Sequence, residues 1–175
     1  MTLDELGPRI CILGPSNSGK STLAASIARA RDLAPVHLDR LYHRPGTDWE
    51  PRLEAAFVAL HDAAITGARW VIDGNYSRCA EQRLARATGL ILLDASVPTS
   101  LVRYLRRTLF ERRRVGGLAG DRDSLKWAMI HHIAVVGPEN RRRHRAIFDR
   151  SPLPKILIPD RRHLRAFYVA EALCR

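Results

Sequence analysis

Cysteine, lysine and long apolar runs are all scarce in this 175-residue chain. Cysteine occurs only at Cys11, Cys79 and Cys174, far apart and without metal-ligand spacing. That pattern argues against a disulfide scaffold or a thiolate metal site and suits free thiols in a reducing compartment. No stretch approaches the roughly 20 apolar residues that a membrane-spanning helix needs. The opening Met1-Thr2-Leu3-Asp4-Glu5-Leu6 is acidic and lacks the basic-then-apolar layout of a signal peptide, so a cytoplasmic location is expected. Repeats and low-complexity linkers are missing too, and the length suits a single domain, 1–175, with a full core.

Only Lys20, Lys126 and Lys155 among the 29 basic residues are lysine. Arginine favours bidentate phosphate contacts, although a base-composition bias would also enrich it. The net charge of +11 is segregated. Residues 101–165 carry 17 Arg and Lys against 6 Asp and Glu, whereas the rest of the chain carries 12 of each. A segregated basic region attracts polyphosphates: nucleotides, nucleic acid or an anionic surface.

Against these absences one motif stands out. Gly14-Pro15-Ser16-Asn17-Ser18-Gly19-Lys20-Ser21 fits the pattern G-x-x-x-x-G-K-[ST]. It follows the apolar run Ile10-Cys11-Ile12-Leu13 and precedes Thr22 and a helical pattern with Leu23, Ile27 and Ala30 on one face. A strand feeding such a loop and a helix leaving it is the context a phosphate-binding loop requires. Backbone N–H groups would cradle the β-phosphate, Lys20 would reach the β- and γ-phosphates, and Ser21 would ligate Mg²⁺. The helix beginning near Gly19 would add its positive dipole end.

Continuous apolar runs predict five strands at 9–13, 36–38, 70–73, 90–94 and 155–158, as expected for a parallel sheet covered on both faces. Helical patterns fall at 20–31, 50–66, 80–87, 99–113, 124–149 and 162–173, the fifth interrupted at Gly137-Pro138. Pro51 suits the first turn of the second helix. Strand–helix alternation predicts a three-layer α/β/α sandwich, doubly wound, with ligands at the carboxyl ends of the strands.

The strand ends then become candidate site residues. Asp73 closes Trp70-Val71-Ile72 and is placed to hold a water on Mg²⁺; its alternative is an Asx turn or helix cap. Gly74 would let a substrate approach the backbone closely. Asp39 could take a proton from a substrate hydroxyl, bind Mg²⁺ through water, or pair with Arg40 or Arg44. His37 and His43 read as packing or surface residues. Arg103, Arg106, Arg107, Arg113 and Arg114 lie mostly off the Leu101-Leu105-Leu109 face of their helix and just before the glycine-rich stretch 116–121, a candidate mobile tip. An arginine helix feeding a short closable flap would put cations on the transferring oxygens and exclude water. Arg141, Arg142, Arg143, His144 and Arg145 form a second basic cluster, mostly surface, with one or two members reaching the site. His131 and His132 face different ways, with no third ligand nearby. Trp127, Ile130 and Ala134 read as core, and Trp49 as an anchor for the flap.

The phosphate loop, Leu38-Asp39, Asp73-Gly74-Asn75-Tyr76 and the arginine-rich helix together resemble the nucleoside-monophosphate-kinase group of P-loop proteins. More narrowly, the chain is similar to the adenylate-kinase-related topology modulation (FlaR-like) proteins, which share the H-L-D and I-D-G-N-Y runs. The resemblance covers nearly the whole chain. It implies a P-loop nucleoside triphosphate hydrolase fold with sheet order 2-3-1-4-5, and a short lid-like segment around 107–124. It also implies ATP and Mg²⁺ as cofactors. Residues 14–22 with Arg113 and Arg161 would bind ATP. Ser21 and Asp73 would hold the metal. Lys20, Asp39, Asp73, Arg107 and Arg113 would serve catalysis, and Asp39, Gly74, Asn75, Tyr76, Arg78 and Arg83 would hold an acceptor. Adenylate kinase has an acceptor-gripping arginine four residues after the aspartate; here Ser77 stands there, with Arg78 next and Arg83 further on, which argues against AMP as acceptor.

The leading expectation is thus a phosphotransferase moving the γ-phosphoryl of ATP to a nucleotide or small molecule. A nucleotide-dependent nucleic-acid-binding protein, docking through 101–165, is one alternative; the lack of a recognised nucleic-acid motif and of aromatics among those arginines argues against it. An ATPase switch acting on a protein partner is the other.

Overall fold

The computed structural model describes residues 1–47, 49–110 and 130–174, without the side chains of Arg107, Leu109, Phe110 and His132. Five parallel strands form one sheet in the order β2-β3-β1-β4-β5. They are β1 (Arg9–Leu13), β2 (Ala34–His37), β3 (Trp70–Asp73), β4 (Gly89–Leu93) and β5 (Lys155–Ile158). The helices are α1 (Lys20–Arg31), α2 (Leu38–Tyr42), α3 (Glu54–Ile65), α4 (Ala80–Arg86), α5 (Val97–Phe110), α6 (Gly137–Arg150) and α7 (Arg161–Ala170).

Successive side chains of a strand point to opposite faces, and here both faces are covered. Ile10 and Ile12 of β1 join Leu23 and Ile27 of α1 and Leu164 and Tyr168 of α7 on one side. Cys11 and Leu13 join Leu38 of α2, Ile65 of α3 and Phe148 of α6 on the other. That double burial is why the strands read as unbroken apolar runs.

The layered sandwich and its sheet order are as expected, and three strands and α1 keep their expected bounds. Several details differ. The second expected helix starts four residues late, at Glu54. Residues before it fold back as a loop in which His43 and Pro51 form an isolated antiparallel bridge, Arg44 N donates to the Glu50 carbonyl (2.8 Å) and Arg52 N to that of Tyr42 (2.7 Å). Pro51 therefore serves a bridge, where its missing N–H does no harm, and not a helical first turn. The short α2 was not foreseen; five residues are too few to show a helical period. Ala134 is exposed, and Ile133 is the buried residue of a π-helical turn, His132–Val136, that runs into α6. Pro138 then sits in the first turn of α6, where it is tolerated. The flap 116–121, residues 111–124 of the lid-like segment, Arg113, Arg114 and Trp127 lie outside the described residues.

Candidate active site

The order 2-3-1-4-5 puts β1 where successive connections diverge, and its carboxyl end carries the phosphate loop. Acids end the neighbouring strands on the same edge: Asp39 just after β2, Asp73 on β3, Asp94 just after β4 and Asp160 after β5. Gly14 makes the loop possible. Its φ is +147°, and a Cβ there would run into the Leu93 carbonyl. Lys20 Nζ arches back over the loop and donates to the carbonyls of Gly14 (2.9 Å) and Pro15 (2.8 Å). Arg103 Nη1, from α5, donates to the Ser18 carbonyl, tying α5 to the loop.

Asp73 is buried between two partners. Its Oδ2 accepts from Ser21 Oγ at 2.7 Å, and its Oδ1 meets His37 Nδ1. The register pairs His37 with Asp73 across β2 and β3, so the histidine fixes the carboxylate's rotation. His37 is buried, in keeping with a packing residue, and its added contact with Asp73 follows from the β2–β3 register, which the sequence pattern did not specify. Asp39 Oδ1 accepts from Tyr76 Oη at 2.9 Å, so its interaction reaches across to the β3 end rather than only to nearby arginines. Asn75 Nδ2 donates to the Gly14 carbonyl at 2.7 Å, linking the β3 turn to the loop. Gly74 has φ +131°, and a Cβ there would come within 2.7 Å of Leu38 Cβ. The missing Cβ thus lets the β3 turn pack closely on α2, and Gly74 also lines the adjoining cleft.

These groups line a cleft of about 1460 Å³, with residues 15–17 and 19–22 on one wall and Asp39, Tyr42, Asn75 and Tyr76 on another. Trp49 borders it and meets His43 edge-on, with ring centroids 5.0 Å apart. Arg78 borders it too, paired with Glu54 in an exposed contact. Arg83 is buried and donates to the carbonyls of Tyr76 (2.9 Å) and Gly74 (3.3 Å).

The basic region divides. Arg103, Arg106, Arg141, Arg143 and Arg161 face the cleft. Arg141 is held by Asp94, its Nη2 3.1 Å from Oδ2, and those bonds raise the guanidinium's pKa further. Lys155 caps the end of α6 through the carbonyls of Phe148, Asp149 and Ser151. Among the described residues this distribution gives no support to one continuous nucleic-acid face. The Arg107 side chain lies outside the described residues. Sequence reasoning missed Asp94 as an anchor and His144 as a buried residue of α6, which also lines the cleft.

Among the described residues no cluster of His, Cys, Asp and Glu suits a multi-ligand metal centre, and no helix is long and apolar enough to cross a membrane. Burial pushes the Cys11 thiol up to about 12, which removes it from nucleophilic chemistry.

No protein-family profile and no curated protein sequence matches the chain. Solved structures do. A gluconokinase from Sinorhizobium meliloti 1021 superposes with a TM-score of 0.57 at 14% identity, covering 96% of this chain and 93% of that one. A shikimate kinase from Acinetobacter baumannii, solved in complex with shikimate, gives 0.52 at 12% identity over 96% and 95%. At such identities the likeness speaks for the backbone. With the sheet order and the loop after β1, it establishes that the chain has the P-loop nucleoside triphosphate hydrolase fold in the form found in P-loop kinases.

Proposed function

We propose that the protein is an ATP- and Mg²⁺-dependent phosphotransferase that moves the γ-phosphoryl group of ATP to a hydroxyl of a nucleotide or small molecule. The observation that carries this reading is one strand edge holding Lys20, Ser21 and Asp73 beside a second acid, Asp39, across an open cleft. The kinase-fold neighbours and the resemblance to adenylate-kinase-related topology modulation proteins support it.

Ser21 Oγ and the Asp73 carboxylate are hard oxygen donors, 2.7 Å apart at the mouth of the loop, and their chemistry fits Mg²⁺. Bound there, Mg²⁺ would neutralise charge on the β- and γ-phosphate oxygens. His37 keeps the Asp73 carboxylate turned toward Ser21. The loop N–H groups and the N-terminus of α1 bind the triphosphate, and Lys20 moves from the loop carbonyls to its β- and γ-oxygens. The acceptor oxygen then attacks the γ-phosphorus as the bond to the β,γ-bridging oxygen breaks and ADP leaves. Asp39, oriented by Tyr76, takes the acceptor's proton. Arg103 and Arg141 supply cations along the phosphate wall, and Arg161 borders the nucleotide. The three free cysteines suit the cytoplasm.

The test is ATP consumption across a panel of nucleosides, nucleotides and sugar acids, with Lys20→Ala as control. Acceptor-dependent turnover lost in the variant supports the reading. ATP hydrolysis indifferent to every acceptor would point to the ATPase switch instead.

A further inference from the structure

Two buried polar side chains on the cleft floor have no role in the mechanism above. Arg83, on α4, is 1% exposed. Its partners are the uncharged carbonyls of Tyr76 and Gly74. Among the described residues no carboxylate acts on it; the titratable groups it feels are the Cys11 and Cys79 thiols, and burial pushes its pKa down. A buried cation without a counter-charge is costly, and carbonyl hydrogen bonds offset only part of that cost.

His144, on α6, is 4% exposed, and its Nδ1 is buried without a hydrogen-bond partner among the described residues. The helix turns Asn140, Arg141, His144 and Ile147 toward the cleft at helical spacing. Ile147, the last of these, also packs with Phe148 on the apolar core, so His144 is the last polar residue of this face before the core. The charged groups acting on it are Lys20 from α1, Arg83 from α4 and Arg143 from its own helix, all cationic. Burial first, then those cations, push it down to about 4, so the ring is neutral and carries one N–H.

We propose that Arg83 and His144 together form a subsite for an oxyanion, a carboxylate or phosphate group carried by the phosphoryl acceptor. An oxyanion there would neutralise Arg83 and pair His144 Nδ1–H in a single step. The subsite lies on the acceptor side because Arg83 is anchored to the β3 turn, whose Tyr76 also binds Asp39. The assignment to the acceptor rests on the phosphotransferase reading.

The experiment is ¹⁵N-histidine NMR on the full chain, with the His144 signals identified by their loss in His144→Phe. The protein is first saturated with Mg²⁺ and a non-hydrolysable β,γ-imido ATP analogue, which occupies the loop. It is then titrated with inorganic phosphate and, separately, with malonate. The expected result is a saturable shift of the His144 ring nitrogens, with apparent affinity weakened about tenfold or more in Arg83→Lys. Tighter phosphate binding assigns a phosphorylated acceptor, and tighter malonate binding a carboxylic acid. If the analogue binds but neither anion moves the His144 signals, the subsite is wrong and the phosphotransferase reading stands. A shift of equal affinity in Arg83→Lys overturns the pairing. Failure of the analogue itself to bind removes the phosphotransferase reading, and the acceptor subsite with it. Should Arg83→Lys not fold, the wild-type titration alone decides.

Discussion

The two walls of the cleft are built in different ways. The phosphate-loop wall is nearly contiguous in sequence: residues 14–22 supply it, with Asp73 and His37 added by strand register. The opposite wall and floor come from α2, the β3 turn, α4 and α6, so that Arg83 and His144 share a cavity although separated by 60 intervening residues. The contiguous wall pairs Lys20 with the loop carbonyls and Ser21 with Asp73, and among the described residues it leaves one small neutral group, Ser18 Oγ, buried without a partner. The assembled wall keeps a buried guanidinium without a carboxylate and a buried imidazole nitrogen without a partner. Charge recognition of a shared nucleotide can be preformed in one short motif. On the proposed reading, recognition of a particular acceptor is composed from distant elements, and the two buried polar groups of the floor, Arg83 and His144, belong to that side.

That division predicts different failures. On the proposed phosphotransferase reading, Lys20→Ala removes the point charge on the transferring phosphoryl group, so kcat/KM should fall by ~10³-fold or more while the unfolding midpoint barely moves. A variant that kept most of its turnover would break the assignment of the contiguous wall to chemistry. His144 should act on stability instead. An ordinary histidine titrates near 6.5, whereas burial and the cations Lys20, Arg143 and Arg83 hold His144 near 4. Between those values the unfolded chain binds a proton that the native chain refuses. Stability therefore falls as pH drops from 6.5 to 4, by about 3 kcal/mol in all. Urea unfolding across that range should show the slope in the wild type and a much flatter one in His144→Phe.

The same division explains what was legible in the sequence. The loop could be read because its eight residues and flanking strand and helix are consecutive, and the strands could be read because burial on both faces leaves unbroken apolar runs. Asp73 and Asp39 could be placed because strand ends in a parallel sheet share an edge. The contact of His37 with Asp73 was not legible because it depends on the residue-by-residue register of β2 on β3, and the expected bounds of β2, 36–38, differ from the observed Ala34–His37. His144 was hidden in a run of arginines. Its spacing of three from Arg141 put both on one helical face, but nothing local says whether that face meets solvent or the floor of a cleft. The start of α3 was misjudged because Pro51, a good helix opener, is equally at home in the bridge with His43.

Arg83→Met sharpens the contrast from the structural side. The substitution leaves the Gly74 and Tyr76 carbonyls without their donor, which should cost about 2 kcal/mol in chemical denaturation. Breaking a buried ion pair costs about 3–5 kcal/mol because a bare charge remains. No carboxylate would be stranded here, so the smaller figure is expected. A loss in the larger range would mean that Arg83 has a carboxylate partner in the folded chain and that the floor is electrostatically complete.

Asp94 marks the boundary between the two walls, and its effect should be the smallest. It directly follows β4 beside the loop, yet its partner Arg141 comes from α6. The pair is bidentate, with Arg145 Nη1 a further 3.9 Å from Oδ2, but the Arg141 side chain is 43% exposed. Solvent screens such a pair, so Asp94→Asn should change stability by less than about 1 kcal/mol. Its consequence lies in where the guanidinium goes. Freed from Asp94, Arg141 samples more rotamers and spends less time facing the phosphate wall, so on the proposed reading the KM for ATP should rise about three- to tenfold with kcat nearly unchanged. Steady-state kinetics on the variant would separate the two constants. An unchanged KM would remove Arg141 from nucleotide binding and assign it to the acceptor wall, joining Asn140 and His144 on the same face of α6.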